Sequence, residues 1–221
     1  MDADEIISQI VKGNTLFTKE HGLSYFDEFK QQQTPFITLV TCSDSRVPQH
    51  ALLPDTTNKV FTVKNIGNQI LSTEGSVDYG IYHLKTPVLL ILGHSDCGAI
   101  KAYLKGFHEE TFNIRHELDY LRPLIKENTG DSGFENLHAH AIEKNLDYQV
   151  NIACKKYKHL IAEGKLTVIG AYYDFTGSFG RGQGQIVIVN VNKQKGEELL
   201  HTLPEFRKLS KEEREIHIGR L

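Results

Sequence analysis

Phe36-Ile37-Thr38-Leu39-Val40-Thr41-Cys42-Ser43-Asp44-Ser45-Arg46 and Val88-Leu89-Leu90-Ile91-Leu92-Gly93-His94-Ser95-Asp96-Cys97-Gly98 together decide the fold. Each opens on a short apolar run and then turns polar. An unbroken apolar run of this length, bounded by polar loop residues, reads as a strand buried on both faces. Cys42 and His94 therefore stand at the carboxyl ends of two buried strands, 36–41 and 88–92. Cys97 follows one turn later, where a helix over 97–104 begins. In open α/β sheets, ligands bind in the crevice beyond the carboxyl ends of the strands. Two thiolates and an imidazole converging there form a three-donor site for Zn²⁺ with a fourth position open to water, the pattern of a catalytic rather than a structural zinc.

The rest of the chain supports an α/β class. Residues 60–63, 167–173 and 186–191 read as further strands, and 76–84, 112–125 and 136–161 as helices, the last stopped by Gly164. Alternation of this kind gives a mainly parallel central β-sheet flanked by helices. Ahead of the first strand, 4–20 carries Ile6, Ile7, Ile10, Val11, Leu16 and Phe17 at helical spacing, and 24–31 reads as a second short helix. Residues 1–35 are thus an N-terminal helical arm and 36–221 a single α/β domain. The tail after Lys193 is charged and helical in pattern. Gly177, Gly180, Gly182 and Gly184 lie between two strands rather than before a helix, so they read as a hairpin turn, not a phosphate loop.

Composition excludes several classes. The 221 residues carry a formal net charge of −3 with no basic stripe, which argues against nucleic acid as a partner. No apolar run is long enough to span a membrane, and the acidic N-terminus has no secretory pattern. Three cysteines, an odd number, argue against a disulfide framework and for a reducing, cytoplasmic setting in which thiols are free to bind metal. Cys154 falls within the long helix and reads as a packed thiol, not a fourth ligand. His138 and His140, two apart on a helix, face different directions. A phosphatase cradle from Cys42 to Arg46 fails on spacing, since three intervening residues are too few to wrap a phosphate. A Cys–His hydrolase dyad lacks an evident oxyanion loop. Asp44 and Arg46 are either an ordinary loop ion pair or a carboxylate held by a bidentate guanidinium beside the metal.

Cys-Ser-Asp-Ser-Arg at 42–46 followed by Gly-His-Ser-Asp-Cys-Gly at 93–98 resembles the zinc site of the β-class carbonic anhydrases. The likeness extends to Lys12-Gly13-Asn14, to 63–68, to 75–79 and to Tyr172-Tyr173-Asp174-Phe175, covering most of the chain. It implies reversible hydration of CO2 to bicarbonate and a proton through a zinc-bound hydroxide, with one Zn²⁺ per chain on Cys42, His94 and Cys97. It implies that Asp44, held by Arg46, accepts the hydroxide's proton and so aims its lone pair. It places Gln33, Phe61, Ile66, Tyr79 and Gly98 around the substrate. Ile66 stands where valine is frequent, and Lys64 replaces a more usual arginine, losing any bidentate fork there. The family's arm packs across a dimer, so a homodimer or higher homo-oligomer is implied. So is the plant-type, open form of the site: Leu39 and Thr41 occupy positions where the closed form carries tryptophan and glycine. Two other readings fit the same ligands. One is hydrolysis of COS or CS2. The other is a non-catalytic zinc-binding regulatory protein, against which Asp44 and Arg46 both count.

Overall fold

The computed structural model describes residues 1–121 and 134–221. They form two compact units, Met1–Thr34 and Pro35–Leu221. In the first, α1 (Ala3–Glu20) begins at a capping box: Asp2 Oδ1 accepts from the Glu5 N–H at 2.9 Å while the Glu5 carboxylate accepts from the Asp2 N–H at 3.1 Å. Its apolar stripe is exposed, Ile10 at 65% and Val11 at 59%. The expected helix over 24–31 is shorter, α2 (Leu23–Asp27), and Phe17, Tyr25, Phe26 and Phe29 meet edge to face around it.

The second unit is built on a five-stranded sheet. Its strands are β1 (Ile37–Cys42), β2 (Val60–Asn65), β3 (Val88–His94), β4 (Thr167–Asp174) and β5 (Gln185–Val191), in the order β2-β1-β3-β4-β5. All pairings are parallel except β4 with β5, the hairpin turned by the glycine-rich 177–184 segment. Helices α3 (Glu74–Asp78), α4 (Gly98–Lys105), α5 (Phe112–Asp119), α6 (Phe134–Lys156), α7 (Lys158–Ala162), α8 (Glu197–His201) and α9 (Lys211–His217) surround it. β1 and β3 are buried from their second residue onward, as the unbroken apolar runs require. On one face α6 packs close to β4. A Cβ on Gly170 would lie 2.9 Å from Val150 Cγ2, so glycine sets that approach.

Two expected helices take a different form. Over 76–84, α3 ends at Asp78 and Tyr79–His83 widens into a π-helical turn, with the Leu84 N–H reaching back to the Tyr79 carbonyl at 3.0 Å. Gly80 packs there against β1, where a Cβ would sit 2.2 Å from Thr38 Oγ1, itself bonded to Thr86 Oγ1 at 2.7 Å. The 136–161 helix breaks at Tyr157, whose buried ring leaves its hydroxyl donating to Asp78 Oδ1 at 2.7 Å. The part of the expected 112–125 helix beyond residue 121 lies outside the described residues.

Candidate metal centre

The strand order creates the site. From β1 the chain crosses to β2 on one side; from β3 it crosses to β4 on the other. The crossovers diverge between β1 and β3, so a crevice opens at their carboxyl ends. Cys42 is the last residue of β1 and His94 the last of β3. Cys97 stands immediately before α4 as its N-cap residue. The Cys42 and Cys97 sulfurs and a His94 ring nitrogen lie within 4.8 Å of one another, and all three residues are buried. Among the described residues no other group of three such side chains converges in this way.

The donor atoms fit a dication. His94 Nδ1 lies 2.8 Å from the Ser95 carbonyl, which only accepts, so Nδ1 carries the proton and Nε2 presents a lone pair. His94 is fully buried, and its Nε2 has no hydrogen-bond partner among the described residues. A buried polar atom left unsatisfied is costly, and a metal ion supplies the missing partner. The contact between the two thiols pushes them in opposite directions. The Cys97 thiol beside Cys42 lowers Cys42, and the Gly67 and Asp44 N–H groups add to the effect against the cost of burial. Cys97 is pushed up by the same contact and by its burial, despite the Ala99 and Ile100 N–H groups at the start of α4. A dication held here by Cys42, His94 and Cys97 would favour the thiolate form of both cysteines.

Asp44 borders the cluster, its Oδ2 4.0 Å from His94 Nε2. Both of its oxygens are taken by Arg46: Nε donates to Oδ1 at 2.9 Å and Nη2 to Oδ2 at 2.7 Å, with the Arg46 main-chain N–H also on Oδ1. This grip holds the Asp44 carboxyl well below the usual carboxylate range. Gly98 opens α4 and is exposed beside Cys97. Ile66, half-buried on the core, lines a cavity of about 500 Å³ with Ser43, Lys64, Asn65, His116 and Glu117.

Phe61 and Tyr79 pair with each other at 5.7 Å between ring centroids, but Phe61 is in register with Thr38, four residues before Cys42. That is about 13 Å along the strand from the metal-ligating end. Within one chain these two rings are not gathered at the cluster. Gln33 is exposed and belongs to the Met1–Thr34 unit.

Three supporting residues were given no role in the sequence reading. His138, set aside for its spacing to His140, is buried and donates Nε2–H to the Cys97 carbonyl at 3.0 Å, while burial lowers its pKa and keeps it neutral. Its partner lies 41 residues away, and helical spacing carries no signal of it. Asp174, fully buried at the end of β4, accepts from the Ser95 hydroxyl and from the N–H groups of Gly177, Ser178 and Phe179. Burial works against its ionised form, but these donors prevail and hold it below the usual carboxylate range. The loop so fixed sets Phe175 against His94 at 6.0 Å and under the Arg46 guanidinium at 4.9 Å. An aspartate directly followed by an aromatic at a strand end is the signal available for that pair.

A parallel α/β sheet whose diverging crossovers gather two cysteines and a histidine defines a metalloprotein of the β-carbonic anhydrase fold. Residues 37–179 match the carbonic anhydrase family, and the chain belongs to it. It is 30% identical over 125 residues to a carbonic anhydrase of Helicobacter pylori, covering 50% of this chain and 56% of that protein. It is 25% identical over 173 residues to β carbonic anhydrase 5, chloroplastic, of Arabidopsis thaliana, covering 69% of this chain and 58% of that one. The chain thus spans little more than half the length of these two relatives. In fold it is similar to the Coccomyxa β-carbonic anhydrase solved with acetazolamide, with a TM-score of 0.71 at 23% identity over 89% of this chain and 90% of that one.

Proposed function

We propose that this protein catalyses the reversible hydration of carbon dioxide to bicarbonate and a proton, with one Zn²⁺ held by Cys42, His94 and Cys97. One observation carries the reading: a three-donor cluster has at its rim a carboxylate fully engaged by an arginine instead of joining the donors. A purely structural zinc has no use for such a pair. Zinc in this position supplies an activated water, its pKa lowered toward ~7, as the oxygen nucleophile. The chain's own residues do the rest. Asp44 stays ionised and accepts the proton of the attacking oxygen through Oδ2, which turns a lone pair toward the carbon. Arg46 keeps that carboxylate at the rim and away from the metal, the open arrangement. Ile66 lines the apolar side of the approach from the cavity beside Ser43, and Gly98, without a side chain, leaves the approach beside Cys97 clear.

The pH behaviour follows from the same contacts. Asp44 has a depressed folded-state pKa, so its contribution to stability is complete above the unfolded value of about 3.9 and is lost as pH falls below it. Asp44 therefore does not titrate between pH 6 and 9. Activity over that range is expected to follow a single ionisation near ~7. A steep, cooperative loss below about pH 8 would instead indicate coupled groups and a closed site.

The assembly is a homodimer or a higher homo-oligomer, with residues 1–35 as the arm. The exposed stripe of α1 is an apolar face that calls for cover. In this reading Gln33, Phe61 and Tyr79 are the substrate-pocket residues that the likeness to the family implies. Light scattering at micromolar concentration is expected to give at least a dimer, weakened by deletion of 1–34. A fully active, monodisperse monomer would contradict this. The free thiols fit a cytoplasmic setting, and among the described residues no helix is long and apolar enough to cross a membrane. COS and CS2 are the competing substrates on the same ligands. Assays of zinc-verified protein with each gas decide, with CO2 expected to be turned over fastest.

A further inference from the structure

Arg46 has more partners than the orientation of one carboxylate requires. Beyond the two guanidinium bonds and one main-chain bond to Asp44, Nη1 donates to Asp96 Oδ2 at 2.9 Å and Nη2 to the Asp96 carbonyl at 3.1 Å. Its guanidinium carbon lies over the Phe175 ring, 4.9 Å from the centroid. Asp96 is itself held from the far side, its Oδ1 taken by the Lys101 ammonium one turn into α4. Asp96 stands at φ +58, in the left-handed region, which aspartate tolerates better than most side chains. A sparsely populated backbone conformation between two metal ligands, stabilised by ion pairs on both sides, is a feature over-determined by its surroundings.

We infer that Asp96, braced by Lys101, is a positioning residue that clamps the Arg46 guanidinium from the side opposite Asp44, so that the Asp44–Arg46 pair is fixed before substrate arrives. This rests on the hydration reading for its kinetic consequence but not for its structural one. A guanidinium held by a single carboxylate swings with it as a unit. One held by two carboxylates and an aromatic face has its plane and position set independently of Asp44. Asp44 is then aimed by a fixed partner, and the orientation needed at the reacting oxygen is set in advance. Asp96 and Lys101 are not among the three donors of the cluster, so their effect on turnover through Arg46 is read at equal zinc content.

Lys101→Met keeps the length and helical preference of the side chain and removes the brace. Asp96→Asn tolerates the left-handed backbone and removes the charge facing Arg46. Lys101→Arg restores a cation. In zinc-loaded, full-length protein, NMR of the Arg46 side-chain N–H groups, assigned by their loss in Arg46→Lys, reads the clamp directly. Rotation about the Arg46 Cζ–Nη bonds and solvent exchange of its protons are expected to be at least ~5-fold faster in Lys101→Met, faster still in Asp96→Asn, and near parental in Lys101→Arg. At one zinc per chain, kcat for CO2 hydration is expected to fall ~5–10-fold in the first two variants with KM little changed, as for an interaction felt in the transition state. Unchanged Arg46 dynamics in both variants would overturn the clamp. Faster dynamics with parental kcat would overturn its positioning role. If the parent enzyme does not hydrate CO2, the proposed function fails, and the NMR comparison still decides whether Asp96 and Lys101 hold Arg46.

Discussion

Cys42→Ser is expected to abolish zinc binding and, with it, CO2 hydration, lowering activity by at least ~10³-fold. The serine hydroxyl is a far weaker ligand for zinc than a thiolate. The Gly67 and Asp44 N–H groups that help Cys42 ionise would meet a hydroxyl that stays protonated at neutral pH. The loss should be specific to this thiol. Cys154 lies in α6, where burial pushes it up to about 11, so it remains a packed thiol and Cys154→Ser should keep one zinc per chain. Elemental analysis of the two variants beside the parent checks this. Full zinc content in Cys42→Ser would show that the ligand set is wrong.

Asp44→Asn is expected to keep zinc while losing ~10²–10³-fold in kcat, in the range typical for removal of a proton-accepting group at a reacting centre. An asparagine in this place retains one oxygen for Arg46 and turns an amide toward the cluster or the reverse. In either orientation one of the two guanidinium contacts is lost, and no carboxylate remains to accept from the attacking oxygen. Arg46→Ala should impair turnover less severely, because the carboxylate survives but is free to move. Stopped-flow rates on protein of verified zinc content separate the cases. Asp44→Asn at the parental rate would remove Asp44 from the mechanism.

What could be read from the sequence follows the range of the forces involved. β1 and β3 were legible because burial on both faces writes itself as an unbroken apolar run, and the polar residues that follow mark where the strands end. That placed Cys42, His94 and Cys97 at the crevice before any coordinates. The β4–β5 hairpin followed from glycine placement, whereas the strand order, and with it the divergence of the crossovers between β1 and β3, was not written in the alternation of elements. The π-helical turn at Tyr79–His83 was not legible. Gly80 within it lies close against Thr38, 42 residues earlier, and periodicity is blind to a partner on another element. Tyr157, at the break in the long helix, likewise bonds Asp78 on another element. The roles of Asp96, His138 and Asp174 stayed hidden for the same reason: each depends on a bond to a residue far off in sequence, with Arg46, the Cys97 carbonyl and Ser95 as the partners.

The most direct measurement is stopped-flow CO2 hydration, followed by a pH indicator, on freshly prepared protein carrying one zinc per chain, with Asp44→Asn and chelator-stripped protein alongside. Hydration well above the uncatalysed rate in the parent, near-background rates in both comparisons, and recovery of the stripped protein on adding Zn²⁺ are the expected results. A zinc-loaded parent that hydrates CO2 no faster than buffer would contradict the proposed function outright.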